Sequence, residues 1–202
     1  MVADIVVAEN TFTLRGFVED VTGNDAGTEF FGKPIFRGAE CLDWVRAQGV
    51  EHLLFGFGDC NAKMRLSRRA EERGFRFATA VHPRATIAPD VALGEGTVVM
   101  AGVVINASAI LGRHVIVNTC ASVDHDCVIE DAVHLSPGVH LAGGVEVGQG
   151  TWIGIGAVVA PKVRIGRGTI IGAGSVVLKD IPSHVVAWGS SARVMRSLPH
   201  EK

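Results

Sequence analysis

One histidine of the chain lies among acids. His125 sits in the run Val123-Asp124-His125-Asp126-Cys127-Val128, with a carboxylate on each side. An imidazole, with a reference pKa of about 6.5, takes a proton readily near neutral pH. A neighbouring carboxylate can orient such a ring and stabilise its protonated form. Together they form a general base able to take a proton from an attacking nucleophile. Asp124 and Asp126 both compete for the orienting role. Neighbouring side chains of extended chain point to opposite sides, so a corner in the backbone must bring one of them round. His134, His140 and Asn118 are further polar residues of the same region. The four cysteines, Cys41, Cys60, Cys120 and Cys127, form no CxxC pair, which argues against disulfides and against a cysteine-based zinc site. Cys127 reads as a buried free thiol.

The element that must position these residues is a hexad run. Counting in sixes from Ile87 to Val177, every first position is Ile, Leu or Val, and the register never slips. The fifth positions are small or β-branched, and the second positions favour Gly, Ala and Asn. A short fixed period marks a repeat architecture, and a hexapeptide period marks a parallel β-helix. Three hexads make a triangular turn of about 18 residues, whose successive turns stack about 4.8 Å apart. The first positions fill the prism, and one inserted residue would turn the aliphatic ladder outward. His125 falls on a third position, at or near a corner and pointing out. Gly143 and Ala107, one turn after and one turn before it, strip its surroundings of bulk and leave open space beside the ring. His134 and His140 are six residues apart and so fall on successive faces, which excludes their chelating one ion within a subunit. The glycine strings around Gly148 and Gly154 are by-products of the hexads, not a dinucleotide fingerprint, because no strand-to-helix turn carries them.

The net charge of −2 gives no general electrostatic case for nucleic acid or an anionic membrane. There is no signal-peptide pattern and no apolar run of about 18 residues, so a cytoplasmic protein without membrane insertion is expected. Residues 1–81 differ in texture from the hexads. They read as helix at Met1–Glu9, strand at Phe12–Val18, loop at Thr22–Thr28, helix at Gly38–Gln48, strand at His52–Phe57, helix at Asn61–Arg73 and strand at Phe75–Val81. The charged third helix would bury Met64 and Leu66. Alternating helices and strands suggest a small α/β unit with a parallel sheet. Ligands bind such sheets beyond the carboxyl ends of the strands. Glu19-Asp20 and Gly58-Asp59 lie at such ends. The expected division is an α/β domain at 1–81, a β-helix at 82–182, and a tail at 183–202 made of a strand or loop and then a short helix. Lys162, Arg164, Arg167, Lys179, Arg193 and Arg196 concentrate positive charge in the last turns and the tail.

The hexad run resembles the left-handed β-helix acyltransferases of the hexapeptide-repeat superfamily. The α/β unit, His82-Pro83, the motif NTCASVDHDCVIEDAVHLSPGVHLAGGVEVG and the tail together resemble the PglD/NeuD-type sugar acetyltransferases. That resemblance implies a left-handed helix and acetyl-CoA as co-substrate. It also implies a homotrimer with active sites between subunits, and transfer to the amino group of a nucleotide-linked amino sugar. It implies His125 as general base and favours Asp126 as its partner. By matching position it places His134, Gly143, Ile155 and Ala173 at the cofactor, the last two acting through backbone groups along the pantetheine arm. It places Glu19, Asp20, Gly58 and Asn118 at the substrate, and no metal. The sequence departs from the family pattern in two places. It lacks the opening strand and glycine-rich loop that precede the first helix in relatives, and Ser190-Ser191 stand where a Val-Pro pair is usual. With no nucleophile–base pair standing out, direct attack on the thioester is expected. The competing readings are O-acetylation of a sialic-acid-type acceptor, a γ-carbonic-anhydrase-like zinc enzyme, and a non-catalytic trimeric scaffold.

Overall fold

The structure, a computed structural model, describes residues 1–19, 28–38 and 40–199. The β-helix begins one strand earlier than expected, because Ala80–Val81 already pairs in parallel with Val98–Val99. That strand, β6, is followed by sixteen two-residue strands at six-residue steps, from β7 (Thr86–Ile87) to β22 (Val176–Val177). Every pairing between them is parallel and offset by 18 residues, as in Ile105↔Val123↔Leu141 and Val117↔Leu135↔Ile153. The strands fall on three faces. The first carries β6-β9-β12-β15-β18-β21, the second β7-β10-β13-β16-β19-β22 and the third β8-β11-β14-β17-β20.

The hexad chemistry explains this shape. First-position residues such as Ile105, Leu111, Ile129, Leu135, Leu141 and Ile153 are at most 2 % exposed, and the fifth-position ladder of Val103, Ala109, Val115, Ala121, Cys127 and Val133 is fully covered. Each buried Leu or Ile contributes roughly 1.5–3 kcal/mol relative to exposure. The fourth position of every hexad from Gly96 to Gly174 has positive φ, as the third residue of a type II turn requires. Glycine serves at eight of these corners. Ser108, His114, Cys120, Asp126, Ala132 and Lys162 adopt the same φ of 55–61° at the others, which the regular stacking above and below offsets.

The front of the chain consists of α1 (Val2–Glu9), β1 (Phe17–Glu19), β2 (Glu29–Phe30), β3 (Lys33–Arg37), α2 (Cys41–Ala47), β4 (His52–Leu53), α3 (Cys60–Glu71) and β5 (Arg76–Phe77). The three helices and the strands at Phe17, His52 and Arg76 match the sequence reading, with shorter strands. One continuous parallel sheet does not form among the described residues. Instead β1-β3-β2 and β4-β5 are separate sheets. β3 escaped the sequence reading because Pro34 interrupts it. Between the two sheets lies a cavity of about 930 Å³, lined by Val6, Phe17, Glu19, Leu42, Leu54 and Leu66 among others.

Two contacts fix this unit on the first face of the prism. Ile5 of α1 packs with Ala80, Val98 and Ile116. α3, capped by Asp59 accepting from the Ala62 N–H at 2.9 Å, buries Cys60, Lys63, Ser67 and Ala70. The buried stripe is therefore not the Met64 and Leu66 side expected. Leu66 faces the cavity, and the Lys63 ammonium is fully enclosed and donates to the His114 carbonyl at 2.9 Å. Burial lowers its pKa to about 8.

The tail corrects a second expectation. In place of a final short helix, β23 (Val185–Gly189) continues the first face and turns back into antiparallel β24 (Ala192–Ser197). The alternating Val-Val-Ala-Trp and Arg-Val-Met-Arg runs have strand period rather than helix period. Among the described residues no helix is long and apolar enough to cross a membrane.

Candidate active site

His125 and Asp126 are the third and fourth residues of a corner between the second and third faces. The positive φ of Asp126, 59°, swings its carboxylate round to the imidazole. His125 Nδ1 lies 2.8 Å from Asp126 Oδ2. Nδ1 therefore donates, and Nε2 is left with its lone pair outward on an exposed ring. Asp124 is occupied elsewhere. Its Oδ1 accepts from the Asn106 amide at 2.9 Å and from the His125 backbone N–H at 2.8 Å. The corner geometry thus resolves which acid meets the ring. The hydrogen bond to Asp126, with the charge of Asp124, raises the His125 pKa above its ordinary value.

Gly143 stands one turn above, and a Cβ there would lie 2.6 Å from His125 Cε1 and Nε2. Only glycine leaves the ring where it is. Gly144 next to it hydrogen-bonds the His125 carbonyl at 2.9 Å, so both turns are held in register.

A second cluster lies on the first face, where the α/β unit meets the prism. His134 is 9 % exposed and stacks on Trp152 with ring centroids 5.5 Å apart and planes at 11°. Its Nδ1 donates to the Gly58 carbonyl at 3.2 Å, and its Nε2 faces the Asn118 amide at 3.5 Å. A Cβ on Gly58 would lie 2.6 Å from the His134 ring. Burial lowers the His134 pKa, so the ring is neutral and carries its proton on Nδ1. Nε2 is then an acceptor. Asn118 Oδ1 is held by the Thr119 N–H at 2.8 Å, which leaves its amide to donate.

The structure thus brings Gly58, Asn118 and His134 together, which spacing in sequence did not reveal. Ile155 and Ala173 follow on the next corner, stacked one above the other and exposed. Glu19 is separate from both clusters. It lines the cavity of the α/β unit and pairs with Arg37 at 2.6 Å. Asp20 lies outside the described residues. Trp152 and Ser136, bonded through the indole N–H at 2.8 Å, were missed in the sequence. The outward sixth position of β18 was the available signal. His140 lies on the second face and meets Ser122 Oγ at 2.8 Å, away from His134. Among the described residues no three His, Cys, Asp or Glu side chains are grouped to hold a metal ion.

Comparison with known proteins agrees with this architecture. Residues 144–179 match the family described as Bacterial transferase hexapeptide (six repeats). No curated protein sequence matches. A variant of perosamine N-acetyltransferase from Caulobacter crescentus, solved with CoA and GDP-perosamine, is 39 % identical over 97 % of this chain and 91 % of its own, with a TM-score of 0.88. The chain belongs to the sugar N-acetyltransferases of the hexapeptide-repeat superfamily. It is therefore an acyltransferase built on a left-handed β-helix with an α/β region in front, as its sequence suggested. The acetyltransferase domain of PglB from Neisseria gonorrhoeae, solved with acetyl coenzyme A, is 31 % identical over 96 % of this chain and 92 % of its own, with a TM-score of 0.88. WeeI from Acinetobacter baumannii AYE is 25 % identical over 96 % of this chain and 93 % of its own, with a TM-score of 0.86.

Proposed function

We propose that the protein transfers the acetyl group of acetyl-CoA to the amino group of a nucleotide-linked amino sugar, with His125 as general base. The observation that carries this reading is the His125–Asp126 pair at 2.8 Å beneath the side-chain-free Gly143. The relatives solved with GDP-perosamine and with acetyl coenzyme A support the two substrates. The sugar ammonium gives its first proton to solvent, and the free amine attacks the thioester carbonyl while His125 Nε2 takes a second proton from the nitrogen. The tetrahedral intermediate expels the CoA sulfur, to which the imidazolium returns that proton, leaving a neutral amide. Asp126 keeps Nδ1 protonated and stabilises the imidazolium. His134, neutral and fixed as an acceptor, with Asn118 as donor, would receive the amide and carbonyl groups of the donor beside Ile155 and Ala173. Transfer is direct, with no acyl-enzyme.

The cavity of about 930 Å³ in the α/β unit is of the size that holds a small ligand. It is our proposed nucleotide pocket, with Glu19 at its rim and Gly58 toward the acetyl site. A cytoplasmic homotrimer completes the site. Val104, Val158, Ile110 and Val128 point outward on the second and third faces and are 37–53 % exposed. Packing prisms against one another would cover these residues and bring the His125 corner of one chain toward the His134 face of the next.

Replacing His125 by Ala tests the reading. Loss of a positioned base costs about 10²–10⁴-fold in rate. The variant should lose kcat by that factor in a thiol-release assay with an amino-sugar nucleotide, while calorimetry finds CoA binding unchanged. Retained activity would end the assignment.

A further inference from the structure

The net charge of −2 conceals a division along the prism. Residues 162–202 hold seven Lys or Arg and two Asp or Glu, whereas residues 1–161 hold twelve and nineteen. The cations surround the carboxyl-terminal end. Lys162 and Lys179 lie on the corner between the second and third faces, Arg167 on the corner between the third and first, and Arg193 and Arg196 in β24. Among the described residues these five form no ion pair. Arg164, a sixth cation of these turns, pairs with Glu146 at 3.1 Å, and its backbone N–H donates to Asp180 at 2.8 Å. Apolar side chains stand between the cations. Leu178 adjoins Lys179, Trp188 lies across the hairpin from Arg193, and Val194 and Met195 separate Arg193 from Arg196. All four are 45–55 % exposed. Residues Arg193 to Ser197 are exposed without exception, so neither face of β24 rests on the prism, and its outer edge pairs with nothing among the described residues. The α/β unit docks further down, on Ala80, Val98, Ile116 and His134.

We infer that this end of the prism docks on an anionic lipid surface, with the five cations at the headgroups and the four apolar side chains seated shallowly between them. A compact anion needs cations that converge on one point. These are spread round the whole end, and neither large cavity of the molecule reaches any of them. Such a spread suits a plane of many negative charges. A nucleic-acid backbone is also a long array of negative charge, but it has no use for exposed Leu178, Val194 and Met195. Arg and Lys mixed with Trp and aliphatic side chains is the composition that sits at the headgroup level of a bilayer. The long stems of the cations carry their charges past the apolar groups to the phosphates. Such attraction acts within a Debye length, about 10 Å at 0.1 M salt, so the acidic turns further down the prism oppose it little. A homotrimer with its axis along the prisms would set three such ends in one plane and multiply the attachment. The chain then lies on the membrane without crossing it.

Sedimentation with lipid vesicles tests this. The protein should bind vesicles of phosphatidylcholine mixed with phosphatidylglycerol, and not vesicles of phosphatidylcholine alone. Binding should be lost between about 0.1 M and about 1 M NaCl, as the Debye length falls from about 10 Å to about 3 Å. Sodium phosphate should release no more protein than NaCl of equal ionic strength. Each Lys or Arg at an anionic leaflet contributes about fivefold, so Arg193→Gln with Arg196→Gln should weaken binding about thirtyfold. Arg76→Gln with Arg84→Gln changes the net charge equally at exposed positions far down the chain and should leave binding unchanged. Met195→Ser should also weaken binding. Trp188 fluorescence should shift to the blue on the anionic vesicles, and Trp188→Phe should abolish the shift. Equal binding to both vesicle types, binding to neither, or equal losses in the two double variants would overturn the inference. So would native binding by Met195→Ser, a blue shift that persists in Trp188→Phe, or preferential release by phosphate. Retention on single-stranded DNA that needs Arg193 and Arg196, without vesicle binding, would assign the surface to nucleic acid instead. Vesicle binding needs neither substrate, so its failure leaves the acyl-transfer reading standing, and the reverse holds too.

Discussion

His114 occupies a corner with φ 58° and is 4 % exposed. Its ring packs edge-on against Phe77 with centroids 4.5 Å apart and lies 5.3 Å from Phe55, and among the described residues neither ring nitrogen has a hydrogen-bond partner. Burial, reinforced by the charges of Arg113 and Lys63, lowers its pKa from 6.5 to about 4. The unfolded chain therefore binds a proton at His114 between those two values while the folded chain does not. Stability that is fully present above pH 6.5 is lost as pH falls toward 4. Linkage with those two pKa values gives losses of about 0.8 kcal/mol at pH 6, about 2 kcal/mol at pH 5 and about 3 kcal/mol at pH 4. His114→Leu removes the titration and tolerates the corner better than a β-branched residue would. Urea unfolding of both proteins at pH 7, 6 and 5 measures the effect. Carboxylates elsewhere impose an acid dependence on both proteins, and it cancels in the difference. The native protein should lose about 2 kcal/mol relative to the variant between pH 7 and pH 5. Parallel stability curves would refute the reasoning, whatever the variant's stability at neutral pH.

Two further outcomes concern the active corner. The hydrogen bond that His125 donates to Asp126 raises the His125 pKa, so the acid limb of kcat/KM should lie above the ordinary histidine value, with activity falling as the base is protonated. Asp126→Asn should lower kcat and move that limb to lower pH, whereas Asp124→Asn should move it less; a limb unmoved by Asp126→Asn would count against the pair. Gly143→Ala separates function from folding, because the nearest atoms its Cβ would meet belong to the His125 ring, 2.6 Å away. The ring can rotate aside, so the melting temperature should change little. A base displaced by an ångström costs about 10²-fold in rate, to be read as kcat at saturating donor. Full activity in this variant would show that His125 need not point over Gly143.

Much of the coil was legible because its constraint is local and repeated. Ile105, Val123 and Leu141 recur at 18 residues because one slipped residue would expose the whole ladder. The α/β unit was less legible. Its helices are amphipathic enough to find, but its strands are two to five residues long, and whether they join depends on partners distant in sequence. Lys33–Arg37 was hidden by Pro34. The burial of Lys63 was not legible, since nothing near it in sequence shows that the His114 carbonyl waits for it. The tail hairpin was missed because Ser183–Lys202 is short and was read without its neighbour β21.

The same division runs through the site. Sequence alone determined the hexad period, the outward placement of His125 between two acids, and the small residues in the turns next to it, because these follow from a register that every hexad enforces. Only the tertiary structure decided that Asp126 rather than Asp124 meets the ring, since that depends on a positive φ at the corner and on Asn106 from the turn below occupying the other acid. It likewise decided that Gly58, Asn118 and His134 share one cluster. The longest of those contacts spans 76 residues of chain, and it exists because α3 docks on the first face of the prism and carries the Gly58 carbonyl to the imidazole.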